Sequence, residues 1–158
     1  MINIIFVCTG NICRSPSGEG LFKAMVKENG LENEFFIDSA GTDSYHIGEP
    51  ADSRMRKHAA RRGYKLTSRA RRLNRADYKK FDYLIAMDYS NYQDILRLDR
   101  GGGCREKVHM MNDFSTAHKG TDVPDPWYGG ADGFEEVLDM LEDSCRGFLE
   151  ELKGEHGL

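Results

Sequence analysis

Residues 3–8, Asn3-Ile4-Ile5-Phe6-Val7-Cys8, form a nearly unbroken apolar run, and a Ser-Pro pair, Ser15-Pro16, follows within one short loop. A continuous apolar run, as opposed to an alternating one, is the pattern of a strand covered on both faces, as strands are in parallel sheets. Pro16 suits the first turn of a helix, where its missing N–H costs nothing. That helix is expected to reach about Asn29, with Leu21, Phe22, Met25 and Val26 facing inward and Gly30 as its stop. Strand, loop and helix in this order open an α/β fold. They also place the loop at the carboxyl edge of the sheet, where such folds bind ligands.

The rest of the chain repeats the alternation. A second strand is expected over residues 35–38, and Asp52 should cap a basic helix ending at Gly63. Asn74 should cap a short helix from Arg75 to Lys80, with a third strand over 81–87, a helix over 90–98 and a fourth strand over 107–111. Phe134, Val137, Leu138, Leu141, Cys145, Phe148, Leu149 and Leu152 repeat at helical spacing, and Asp132 is the expected cap of that last helix. The reading is one domain over residues 1–158: a four-stranded parallel sheet with helices on both faces, doubly wound, with a phosphate-binding loop after the first strand. A length of 158 residues and 39% apolar content are enough for one sizeable core. Gly18 and Gly20 cost the first helix about 1 kcal/mol each relative to Ala, so close backbone approach is the expected reason for them.

Several classes are excluded. No apolar run approaches the roughly 20 residues of a bilayer span, and the opening run is short and lacks a basic flank. The expectation is therefore a cytoplasmic protein without a membrane partner. The four cysteines have neither the number nor the spacing of a disulfide framework or a zinc site. No metal or other cofactor is expected, and Cys145 reads as packing. Residues 54–75 hold ten of the 22 Lys and Arg and no acid, while the stretch from Asp113 onward holds twelve acids against three Lys or Arg. Without an aromatic platform, and in a chain of net charge −4, the basic stretch reads as a solvated face that steers anions, not as a nucleic-acid site.

The chemistry lies in Cys8-Thr9-Gly10-Asn11-Ile12-Cys13-Arg14-Ser15. A loop wrapping into a helix N-terminus aims several backbone N–H groups at one point, and with the helix dipole these form an anion site. Gly10 and Asn11 are residue types that tolerate the left-handed angles a concave loop needs. The field that binds phosphate also favours a thiolate at Cys8, whose nucleophilicity would then point at a bound phosphorus. Arg14 offers a planar fork to phosphate oxygens, and Ser15 can donate to the thiolate. The pairing of Cys and Arg alone is weak, since a buried cysteine at a strand end and a surface arginine would give the same pattern.

The run Val7-Cys8-Thr9-Gly10-Asn11-Ile12-Cys13-Arg14-Ser15-Pro16 resembles the signature of the low-molecular-weight protein tyrosine phosphatases. So do Asp38-Ser39-Ala40-Gly41-Thr42, Phe81-Asp82-Tyr83 with Met87-Asp88, and Asp125-Pro126-Trp127-Tyr128-Gly129. The resemblance covers nearly the whole chain. It implies hydrolysis of phosphate monoesters, foremost protein phosphotyrosine, in two steps. Cys8 forms a cysteinyl-phosphate while Asp125 protonates the leaving phenol, and water activated by Asp125 then releases inorganic phosphate. Arg14 and the loop amides make a metal unnecessary, and Asn11 and Ser39 are implied to hold the loop by hydrogen bonds. Members commonly carry a histidine before the glycine ending the second helix and alanines in the first. Here Arg62, Gly18 and Gly20 stand there.

Of the aspartates in the downstream loop, Asp113, Asp122, Asp125 and Asp132, only Asp125 lies between two prolines, and Asp122 lacks a rigid frame. Tyr45, Trp127 and Tyr128 could flank a substrate ring, with His46 at the rim. Ile12 is the tyrosine-directed residue where phosphoarginine-directed members carry Thr. Cys8 and Cys13, on one curved loop, form a candidate redox pair. Two rivals stand beside this reading. An arsenate reductase of the same fold needs two further thiols on a mid-chain segment, which residues 85–92 lack. A silent phosphate-binding module would have no need of Cys8, Arg14 and Asp125 together.

Overall fold

A computed structural model of the chain describes the backbone of residues 1–158 and every side chain except that of Tyr128. Strands β1 (Ile2–Cys8), β2 (Phe35–Gly41), β3 (Tyr83–Ala86) and β4 (Val108–Met110) pair in the order β2-β1-β3-β4, and every pairing is parallel. Five α-helices complete the fold among the described residues: α1 (Arg14–Glu28), α2 (Ser53–Arg61), α3 (Arg75–Lys80), α4 (Tyr89–Leu98) and α5 (Ala131–His156).

The apolar run is explained by the two faces of β1. Ile4 and Phe6 point into a core built with α1, α2 and α5, and Ile5 and Val7 into a second core under α3 and α4. All four are fully buried, as period-2 side chains of a doubly covered strand must be. The chain leaves β1 toward β2 on one side and reaches β3 on the other. The loop after β1 therefore opens into the crevice where strand order reverses, the ligand-binding position of doubly wound sheets. Among the described residues no helix is long and apolar enough to cross a membrane.

The strands differ from expectation at their ends. β2 runs on to Gly41, while β3 begins only at Tyr83, because the Phe81 N–H closes α3 onto the Asp77 carbonyl. Asp132 does not cap α5. The Gly133 N–H already bonds the Gly130 carbonyl, so the helix starts from Gly130 and Asp132 sits in its first turn, facing the dipole. The glycines of α1 are tight mainly against side chains, not backbone. A Cβ on Gly18 would come 2.9 Å from Met87 Cε, and one on Gly20 would come 2.6 Å from Leu66 Cδ2.

The unyielding close approach is at Gly147 of α5, where a Cβ would lie 1.9 Å from the Phe114 carbonyl oxygen in the 3-10 turn Met111–Phe114. Gly147→Ala gains up to about 1 kcal/mol of helix propensity, but it must push backbone away from backbone, and overpacking of this kind costs about 1–3 kcal/mol or more. The clash is expected to win, lowering the urea midpoint. Gly154→Ala, on the same helix with no atom within 4 Å of its Cβ, is expected to raise it. A Gly147→Ala protein as stable as the parent would refute the packing of α5 on this turn.

Candidate active site

The loop from Cys8 to Ser15 is held from outside by its carbonyls. Thr42, Asp43 and Asp52 donate backbone N–H groups to the carbonyls of Cys8, Thr9 and Ile12 at 2.9, 3.1 and 2.8 Å. With these carbonyls turned outward, the concave side is left to N–H groups, and Asn11 N–H points at Cys8 Sγ at 3.3 Å. Asn11 takes φ +57°, the one non-glycine with positive φ among the described residues. Gly10, expected to share that conformation, does not. Its missing side chain instead leaves room for His46, whose Cδ2 would lie 3.0 Å from a Cβ.

Asn11 is fixed on three sides. Its Nδ2 donates to Ser15 Oγ at 2.7 Å and to Ser39 Oγ at 3.0 Å, and its Oδ1 accepts from Arg71 N–H at 3.0 Å. Ser39 donates onward to the buried Glu19, which Lys23 neutralises from the surface at 2.6 Å. Arg62 is no part of this support. It pairs with Glu135, Asp139 and Glu142 on α5, so Arg71, Ser39 and Glu19 hold Asn11 instead.

Cys8 and Arg14 are both 3% exposed. Cys8 Sγ lies 2.9 Å from Ser15 Oγ. Arg14 Nη1 donates to Asp88 Oδ2 at 2.6 Å and to the Val123 carbonyl at 3.1 Å, while Nη2 donates to Thr9 Oγ1 at 3.5 Å. Burial works against the guanidinium charge, but the neighbouring Cys8 and Asp88 outweigh it and raise Arg14 above its ordinary range. Asp88 also caps α4 by accepting the Asn91 N–H at 2.7 Å, so one carboxylate ties the helix to the arginine. Asn91, fully buried, donates to Thr9 Oγ1 at 3.1 Å. Burial first, then Asp52 and Cys8, push the Cys13 thiol far up, so Cys13 stays protonated beside Cys8.

Cys8, Ile12, Cys13, Arg14 and Asp125 line a cavity of about 340 Å³, walled by Tyr45, His46 and Trp127. Asp125 adopts φ −80° and ψ 115°, the extended conformation that its flanking prolines impose. Its Oδ1 accepts the Trp127 N–H at 3.0 Å, and its Oδ2 stands 3.7 Å from Arg14 Nη2, with 41% of the side chain exposed at the mouth. The Trp127 ring lies between His46, 5.6 Å away, and Arg54, whose guanidinium is 5.3 Å from it and 4.9 Å from Phe134. Asp52 fixes Arg54 in turn. Tyr45, 85% exposed, rests its edge on His46 at 4.8 Å. Tyr128, named with these from the sequence, has a side chain outside the described residues.

Asp122 is better held than its sequence context suggested, since its Oδ1 accepts the Tyr89 N–H at 3.0 Å. That bond turns it toward the start of α4, and it does not line the cavity. Cys104 and Cys145 are buried in the two cores and do not line it either. Asp88, Asn91, Asp43 and Glu19 belong to the site or its support without having been assigned roles from sequence. Asp88, a carboxylate two residues past the end of β3 and directly before α4, carried the readable signal of an N-cap at the ligand-binding edge.

The chain as a whole is similar to known proteins. The sequence profile described as low molecular weight phosphotyrosine protein phosphatase matches residues 3–157. The chain is 40% identical to the low molecular weight phosphotyrosine protein phosphatase of Schizosaccharomyces pombe, over 96% of this chain and 97% of that one. Among solved structures it is similar to the protein tyrosine phosphatase of Entamoeba histolytica with Hepes in the active site, at TM-score 0.93 and 44% identity over 99% of both chains. It is also similar to the YwlE arginine phosphatase, a mutant with a phosphorylated active-site serine, at TM-score 0.86 and 30% identity over 96% of both chains.

Proposed function

The chain belongs to the low molecular weight phosphotyrosine protein phosphatases, and from that membership we propose which of its residues hydrolyse protein phosphotyrosine and how. The observation that carries the assignment is the convergence, on one cavity, of Cys8 Sγ, a buried Arg14 and the mouth carboxylate Asp125.

Phosphate enters with its oxygens on the loop N–H groups of residues 9–15 and on the guanidinium of Arg14. Cys8 Sγ, as thiolate, attacks phosphorus, and the bond to the phenolic oxygen breaks as Asp125 delivers its proton there. Asp125, now a carboxylate, takes a proton from water. The water oxygen attacks the cysteinyl-phosphate, the S–P bond breaks, and inorganic phosphate and thiolate are regenerated. Ser15 stabilises the thiolate through its hydroxyl. Arg14, held by Asp88, keeps its charge against the equatorial oxygens throughout. Ile12 gives the throat an apolar side, and Trp127 and Tyr45 flank the ring. No step uses a metal. The need for a reduced Cys8 favours a reducing cytoplasm as the enzyme's compartment.

The assay is hydrolysis of matched phosphotyrosine and phosphoarginine peptides in excess chelator. Activity is expected to persist, with phosphotyrosine preferred by about tenfold or more in kcat/KM. Loss of activity in chelator, or preference for phosphoarginine, would overturn this reading of the site.

Oxidation bears on the same two thiols. Peroxide should convert the Cys8 thiolate to a sulfenic acid, releasing hydroxide, and the Cys13 thiol should then displace water from it to close a Cys8–Cys13 disulfide. The expected result of mild peroxide is inactive enzyme that dithiothreitol restores, with peptide mapping showing that bond. Cys8 recovered only as sulfinic or sulfonic acid, with Cys13 free, would sink the pairing.

A further inference from the structure

Much of the basic stretch 54–75 is paired locally. Arg54 meets Asp52, Arg62 meets three carboxylates of α5, and Arg71 bridges Asp38 and Asp77. Arg72 and Arg75 are exposed and meet no carboxylate among the described residues. Both border a groove between α3 and the end of α4, made of two adjoining cavities of about 350 and 620 Å³ that share Arg75, Tyr78, Leu98 and Arg100. Lys79 and Lys107 line the larger one, Lys107 with its Nζ donating to the Tyr78 carbonyl at 2.9 Å. Neither cavity shares a lining residue with the catalytic one.

Five cations from three separate stretches of sequence thus converge on one concavity, whereas a merely solvated basic face spreads its charges over a convex one. The floor is apolar, with Leu73, Tyr78 and Cys104 buried. One carboxylate lines the groove, Asp99, and it is turned into the glycine-rich turn beside it. Its Oδ2 accepts the Cys104 N–H at 3.0 Å, and the Cys104 thiol and backbone hold it below the usual carboxylate range. The acid at the site is therefore already satisfied by the protein.

We propose that this groove binds a polyphosphate chain, the chemistry shared by nucleoside triphosphates and free inorganic polyphosphate. The cations line both cavities, more than the three or four oxygens of a single phosphate would engage. A thin chain with a charge on each phosphate can engage them. An acidic peptide would lay unpaired backbone amides on the apolar floor, which is costly.

The test is calorimetric titration of the whole protein, its catalytic loop saturated with orthovanadate, with tripolyphosphate, ATP, AMP and a poly-glutamate peptide in separate runs. One equivalent of tripolyphosphate is expected to bind, more weakly as salt rises. Arg75→Gln/Arg100→Gln, both exposed positions, should weaken it by about tenfold or more with phosphatase activity and melting unchanged. Arg61→Gln, exposed on α2, should leave it unaltered. ATP binding tighter than tripolyphosphate would assign the floor to a nucleoside, and equal binding would assign the groove to the inorganic chain. Absence of binding, binding indifferent to the double substitution, or preference for an acidic peptide would overturn the proposal.

Discussion

A Cys8→Ser protein is expected to lose turnover by about 10⁴-fold or more on every phosphate ester and still to bind phosphate or vanadate. The proposed anion site consists of loop N–H groups, Arg14 and the α1 N-terminus, none of which the substitution removes. The serine hydroxyl keeps a hydrogen-bond partner in Ser15, 2.9 Å from the present sulfur. It has no comparable ionised form at neutral pH, so nothing in the loop is left to attack phosphorus. Steady-state rates and equilibrium binding measured on the same preparation separate the two effects. Residual activity within about tenfold of the parent would remove Cys8 from the mechanism. Loss of both activity and anion binding would show that Cys8 shapes the loop as well as attacking from it.

The next largest effect is expected from Asp125→Ala, and it should depend on the leaving group. General acid catalysis is worth about 10²–10⁴-fold, most when the departing oxygen is basic. Tyrosine leaves as a poor phenolate, whereas an aryl ester of an acidic phenol departs nearly unaided. The rate on phosphotyrosine should fall far more than the rate on p-nitrophenyl phosphate. Asp122→Ala should change neither greatly, because Asp122 faces the first N–H of α4 and not the cavity. Equal losses on both esters, or a larger loss from Asp122, would mean that another carboxylate donates the proton.

The parts of this molecule legible in sequence are those set by local chemistry. The doubly buried β1 could be read from its apolar run, α3 from its Asn74 cap, and α5 from its spacing. The role proposed for the loop rests on residue types that rarely coincide by accident: a cysteine, a left-handed asparagine, an arginine and a Ser-Pro helix start. What stayed hidden depends on long-range contacts. Asp88 lies 74 positions from Arg14 and Glu19 lies 20 from Ser39, and neither partner announces the other. The start of α5 was misread because a glycine carbonyl can open a helix as readily as a carboxylate can cap one. Gly10 was misread because composition cannot say whether a glycine serves the backbone or yields space to a neighbour, here His46.

Trp127 is the chain's single tryptophan, and it is seated between an imidazole and a guanidinium on the segment that also carries Asp125. Both neighbours alter indole emission, the imidazole more strongly once protonated, so the intensity depends on how the ring is held between them. Trp127 walls the cavity, so an aromatic ring entering it is expected to disturb that arrangement. The molecule therefore carries an intrinsic optical signal at the mouth of its own cavity, and the arrival of a ligand can be timed in a stopped-flow cell without attaching a dye.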